Sequence, residues 1–320
     1  MTTFLVNRLL KQNLLNSSNI QNIFRKSFFS TVSVNYNSKD LAPLKYEQYK
    51  EKEVTLYIKG FLSKGESGED FSKWEQAHKE VSEINDRWEK DGVIKGWNWN
   101  SGKIQYPYPI FLGTNLFYHL YRSSKVARMT PGGVAVSLSL DASIYSFRIF
   151  YQYYDIESRM NLLSENLKKD IIRLSKKYKR VRIVCHSLGS KLLLNALKDV
   201  PDEFKPDCIH MCAPAITQDE FDFYLKKFNE KLAKEKTYIY YSENDYVLSV
   251  FYRIIKGYIK QEDIVGVKGL DKSLLEKNKI YQLEQKDCTS LFKDYWLTHN
   301  NYVSIFPKII EENIRKKETN

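Results

Sequence analysis

From residue 54 onward the chain alternates short β-rich runs with longer stretches of helical spacing, and this alternation restricts its fold more than any other feature. Val54–Lys59, Gly92–Trp99, Val181–Val184, Cys208–Cys212, Thr237–Tyr241 and Lys279–Leu283 read as strands. Between and after them, Phe71–Lys90, Ile156–Tyr178, Leu192–Val200, Phe221–Leu232 and Phe306–Ile314 repeat their apolar residues at helical intervals, with Pro307 expected in the first turn of the last helix. Strands alternating with helices of roughly 10–20 residues build βαβ units. Such units need helices on both faces of a mostly parallel sheet, so the expected class is α/β. Thirteen Gly and eight Pro in 320 residues are too few for the many tight turns of an all-β sandwich. In sheets of this kind ligands bind outside the carboxyl ends of the strands, so functional side chains are sought just after each strand.

Composition narrows the classes further. An apolar fraction of 42% with 28% charged residues is that of a globular chain. The four cysteines (Cys185, Cys208, Cys212, Cys288) lack the spacing of a secreted disulfide framework and point to a reducing compartment. The longest uncharged run, Ile104–Tyr121, contains Gln105, Pro107, Pro109, Asn115 and His119, so no transmembrane span is expected, which leaves only peripheral contact with a membrane. The net charge of +11 is spread among mixed signs, with no basic run beyond Arg315-Lys316-Lys317, and reads as a solvated surface rather than a nucleic-acid interface.

Part of that charge belongs to the N-terminus. Residues 1–40 carry Arg8, Lys11, Arg25, Lys26 and Lys39 and no acidic residue before Asp40. Phe4, Leu5, Leu9, Leu10, Leu14 and Leu15 fall near helical spacing among Ser and Asn. This is the composition of a mitochondrial transit peptide, and a disordered or membrane-surface tail is the alternative. Without residues 1–40 the chain has 45 basic against 38 acidic residues, a net +7. Residues 41–320 are expected to form a single domain.

At the strand ends, Cys185-His186-Ser187-Leu188-Gly189 stands between a predicted strand and a predicted helix. It is close to the G-x-S-x-G nucleophile elbow, in which a serine sits on a cramped strand-to-helix turn. Residues two before and two after the serine must be small, and Cys185 and Gly189 meet that need. The backbone N–H of Leu188 would face an oxyanion, as would that of Phe61 or Leu62, which follow Gly60 after the first strand. The partners of such a serine follow in the order acid, then histidine. Asp245 lies just past Thr237–Tyr241, with Glu243 as the fallback, and His299 is the only histidine downstream. Asp245 could equally be a helix cap. His210, within a strand, and His78, His119 and His186 read as packing residues. Cys208-x-His210-x-Cys212 would place three metal donors on one strand face, but an apolar central strand without a turn or a fourth ligand makes a poor zinc site. No cofactor motif is present, and no cofactor or metal is expected.

Taken in order, Gly60-Phe61-Leu62, the elbow, Asp245 and His299 resemble the α/β-hydrolase superfamily. Within it, Tyr240–Leu248, Tyr252-Arg253 and Gly266–Leu270 are similar to the branch that includes transmembrane and coiled-coil domain-containing protein four. The likeness runs from Val54 to the C-terminus. It departs from that branch in lacking its membrane spans, in Lys59 where a histidine often precedes the oxyanion glycine, and in Cys185 for the first elbow glycine. The residues and the resemblance together imply a serine hydrolase with Ser187, Asp245 and His299 as its triad. The resemblance brings no substrate with it; the triad chemistry points to a carboxylic ester or thioester. The segment 104–150, rich in Tyr, Phe and Leu, reads either as a lid or acyl pocket, which would favour a lipid-like chain, or as an ordinary pair of core helices. The rival reading is a catalytically silent scaffold of the same fold that binds a protein or lipid.

Overall fold

The computed structural model describes residues 52–61, 71–99, 101, 131–227, 231–253, 263–276, 282–292 and 298–318, with 131–151, 251, 275 and 316–318 described by their backbone. All of these belong to the unit Tyr46–Asn320. The expected transit peptide and residues 104–130 of the expected lid lie outside them.

Among the described residues six strands form one sheet: β1 (Glu53–Ile58), β2 (Val93–Trp97), β3 (Arg180–His186), β4 (Cys208–Cys212), β5 (Lys236–Tyr241) and β6 (Leu283–Asp287). Their order is β2-β1-β3-β4-β5-β6, and every neighbouring pair is parallel. The central strands are buried on both faces, and the charged residues within them are paired: Arg182 of β3 with Glu53 of β1. The larger helices are α1 (Ser72–Ile84), α2 (Pro131–Lys177), α3 (Leu188–Leu197), α4 (Gln218–Lys227) and α5 (Tyr302–Glu318). Contacts pair α2 with α3 and α1 with α5. Right-handed crossovers put β1-α1-β2 on one face and β3-α3-β4 on the other, so each pair covers one face.

Helix ends differ from the sequence expectation for identifiable reasons. The α1 helix stops at Ile84, where Asn85 turns extended. The α2 helix begins at Pro131, a residue suited to a first turn, and runs 47 residues, or about 70 Å. A strand of 5–7 residues covers only about 20 Å, and the C-terminal part of α2 packs on the sheet, with Ile156, Met160, Leu163, Leu167, Ile171 and Leu174 buried. The α3 helix starts four residues earlier than its apolar run, immediately after Ser187. The α4 helix likewise starts early, at Gln218. Pro307 is the sixth residue of α5 rather than part of its first turn. It removes one backbone bond, to the Val303 carbonyl, and the helix continues because Phe306, Ile309 and Ile310 anchor it in the core. The last strand is Leu283–Asp287, displaced from the apolar Lys279–Leu283: as an edge strand it takes Glu284, Gln285 and Lys286 without an apolar run.

The α1/α5 face is aromatic. Phe306 packs edge-on against Trp74, Trp88, His210 and Tyr240, with ring centroids 5.7–6.2 Å apart. Within this layer His78 Nδ1 is 2.9 Å from the Tyr57 hydroxyl, and its Nε2 is buried with no partner. Burial, and then the nearby Arg182 charge, depress the His78 pKa from 6.5 to about 4. The folded state therefore holds fewer protons on His78 than the unfolded chain between those values. Its contribution to stability is complete above about pH 6.5 and is lost as pH falls toward 4, about 3 kcal/mol in all. In urea unfolding across that window, the non-titrating His78→Gln variant, which keeps a partner for Tyr57, is expected to lose less stability than the unsubstituted chain. Equal losses would contradict this.

Candidate active site

The carboxyl edge of the sheet gathers the ends of β1, β3, β4 and β5. Gly60 and Phe61 follow β1, Ser187 follows β3, Ala213 follows β4, and Asp245 lies four residues beyond β5. His299 sits in the 3₁₀ turn Thr298–Asn301 that precedes α5.

Ser187 has φ 53° and ψ −126°, a backbone conformation rare for a residue with a side chain. Its N–H donates to the Cys212 carbonyl (3.0 Å), and its own carbonyl accepts from Ser190 (3.0 Å) and Ala215 (3.2 Å). Two glycines give the bend its clearance. A Cβ on Gly189 would lie 2.6 Å from the Lys59 carbonyl oxygen, and one on Gly60 would lie 2.7 Å from Ser187 Cβ. Cys185 fits because it is small: its thiol is buried and donates toward Ser190 Oγ at 3.4 Å. Burial pushes that thiol up to about 12, so it stays protonated. The turn leaves the Ser187 side chain free of helix-capping duty.

Three side chains then form a continuous chain of hydrogen bonds. His299 Nε2 is 2.9 Å from Ser187 Oγ, and His299 Nδ1 is 2.7 Å from Asp245 Oδ2. Ionised Asp245 can only accept, so Nδ1 carries the ring proton and Nε2 is left to accept from the hydroxyl. Asp245 is fully buried, and its other oxygen accepts the Leu248 N–H at 2.9 Å. The cap expected as an alternative and the histidine partner are therefore two oxygens of one carboxylate. Glu243, the fallback acid, is half-exposed and pairs with Lys268 at 2.9 Å. His210 is occupied elsewhere: Nδ1 meets the Tyr240 hydroxyl at 2.8 Å and Nε2 meets Cys208 Sγ at 3.4 Å. No group of metal-binding side chains occurs among the described residues.

Leu188 opens α3, so its N–H is one of the first-turn donors without an acceptor inside the helix. Phe61 packs edge-on against Tyr153 at 5.8 Å, which ties the loop after β1 to α2. Leu62 lies outside the described residues. Behind the elbow, Lys191 is buried and pairs with Glu157 (2.8 Å) and Glu220 (2.9 Å), joining α2, α3 and α4 beneath the serine. His186 touches His299, with ring centroids 4.7 Å apart, and its Nε2 meets the His299 carbonyl oxygen at 2.8 Å. In sequence it reads as a packing residue alone. Its position beside Ser187 was the only signal, and nothing in a single sequence shows that the chain returns there 113 residues later.

The chain belongs to a family described as alpha/beta hydrolase of unknown function (DUF900), whose model matches residues 118–316. A solved structure similar to it is a C6-C4 SN3 inhibited esterase B from Lactobacillus rhamnosis, 9% identical, with a TM-score of 0.28, covering 85% of this chain and 82% of that one. No curated protein matches. No described helix is long and apolar enough to cross a membrane.

The elbow's dependence on clearance can be measured directly. In an ordinary helix Gly→Ala stabilises by about 1 kcal/mol. At Gly189 the added methyl meets two backbone carbonyls, of Lys59 and Ile58, that cannot move aside. Gly189→Ala is therefore expected to destabilise by about 1–3 kcal/mol in urea unfolding, and a gain in stability would contradict the reading.

Proposed function

We propose that this member of the alpha/beta hydrolase family is a serine hydrolase that cleaves a carboxylic ester or thioester through an acyl-enzyme. The observation that carries the proposal is the unbroken path from Asp245 Oδ2 through His299 to Ser187 Oγ, both links within hydrogen-bond distance. In this reading Ser187 Oγ attacks the acyl carbon while His299 Nε2 takes the hydroxyl proton. His299 then returns the proton to the departing alcohol or thiol, and the acyl group remains on Ser187. Water repeats the sequence: it gives a proton to His299, its oxygen joins the acyl carbon, and Ser187 leaves reprotonated with release of the acid. Asp245 holds the imidazole in the required tautomer and stabilises the transient imidazolium. The N–H of Leu188, with that of Phe61 or Leu62, would hold the developing oxyanion, each donor supplying on the order of 10²–10³ in rate.

The backbone strain at Ser187, of order 1–3 kcal/mol, favours this reading over a silent binding scaffold, since a packing serine gains nothing from such a corner. A fluorophosphonate probe tests it. The unsubstituted chain is expected to be labelled and Ser187→Ala to be inert. In ester hydrolysis Ser187→Ala should lose on the order of 10⁶ in kcat and Asp245→Asn about 10⁴. Equal labelling of the Ser187→Ala variant would overturn the proposal.

A further inference from the structure

His186 occupies the elbow position directly before the serine, yet its side chain contacts the opposite partner of the site. Its Nε2 lies 2.8 Å from the backbone carbonyl oxygen of His299, and its ring lies against the His299 ring. A carbonyl oxygen only accepts, so His186 must be protonated on Nε2 to make this bond. The far side of the ring is confined as well. A Cβ built on Gly60 would lie 3.0 Å from His186 Nδ1, and the Tyr302 ring centroid is 6.1 Å away.

We propose that His186 is a positioning residue, whose Nε2–H fixes the main chain of His299 so that the base is held against the residue adjoining it in sequence, Ser187. The inference rests on the serine hydrolase reading for its kinetic consequence, although the hydrogen bond itself does not. The fold explains why such a clamp is needed. His299 is carried by a one-turn 3₁₀ segment and not by a strand or long helix, so it inherits little rigidity from the sheet. Ser187, by contrast, is fixed by β3 and α3. A bond from residue 186 to residue 299 measures the position of the base from the nucleophile's own backbone, by the shortest covalent route.

The arrangement also needs His186 to stay uncharged. When His299 becomes an imidazolium, a second positive ring 4.7 Å away would oppose it. Burial first, and then the neighbouring His299, lower the His186 pKa from 6.5 to about 3, so the ring remains a neutral donor across the physiological range.

Nitrogen-15 NMR of the unsubstituted protein tests the bond without any substitution. The Nε2–H tautomer of His186 is expected at neutral pH, and the Nδ1–H tautomer would overturn the proposal. Two variants then test its consequence. His186→Met fills a similar volume without an N–H, and His186→Gln keeps a side-chain donor. With the fold checked by circular dichroism, the Met variant is expected to lose about 10²-fold in kcat with little change in KM, and the low-field proton of His299 Nδ1–H should broaden. The Gln variant should recover most of both. Full kcat and an unchanged low-field proton in His186→Met would overturn the proposal, as would a folded His186→Gln no better than Met. If the unsubstituted chain shows no hydrolysis while the low-field proton still depends on His186, the hydrolase reading fails and the positioning role stands.

Discussion

Ser187 holds a backbone angle of φ 53° that costs a residue with a Cβ of order 1–3 kcal/mol, and the surrounding structure is arranged to impose it. Three hydrogen bonds, to Cys212 and from Ser190 and Ala215, fix the peptide groups on either side of the corner. Each bond is worth about 1 kcal/mol net, so together they offset the strain. Geometry supplies the rest. Because the β1 and β4 ends flank β3, the corner is hemmed in by Gly60 on one side and by Cys212–Ala215 on the other. The parallel order of the sheet is therefore a condition for the elbow to exist and not only its scaffold.

Burial gives each polar group at this edge one assigned role. Asp245 is wholly enclosed and uses one oxygen to cap the turn after β5 and the other to hold His299. Enclosure also keeps the Cys185 thiol protonated and His186 neutral, so the groups nearest the serine carry no competing charge. Below the elbow, the Lys191 ammonium between Glu157 and Glu220 ties three helices to the residue four positions after Ser187. A buried ion pair of this kind adds little net stability, but breaking it leaves an uncompensated charge, so it specifies how α2, α3 and α4 meet.

Much of this was legible in the sequence because the chemistry falls at places where the pattern is strongest. The β-rich runs of β3 and β4 bracket the serine motif, and the order Ser187, Asp245, His299 needed only the fact that a single histidine follows the acid. What escaped was set by tertiary context. The β6 strand carries Glu284, Gln285 and Lys286 and is a strand because Tyr241 and its neighbours pair with it, not through any propensity of its own. The α3 helix begins at Leu188 because the elbow fixes its first turn, ahead of the apolar spacing that marks its body. The role of His186 depends on a contact 113 residues away, which local pattern cannot encode.

In the proposed mechanism the Ser187 hydroxyl is covalently acylated during turnover. Its most direct test is intact and peptide mass spectrometry of the protein after acid quenching of a reaction with a short-chain activated ester. One added acyl mass is expected on the peptide containing Ser187, and none when His299 is replaced by alanine. No adduct, or an adduct on another residue that survives the loss of His299, would contradict it.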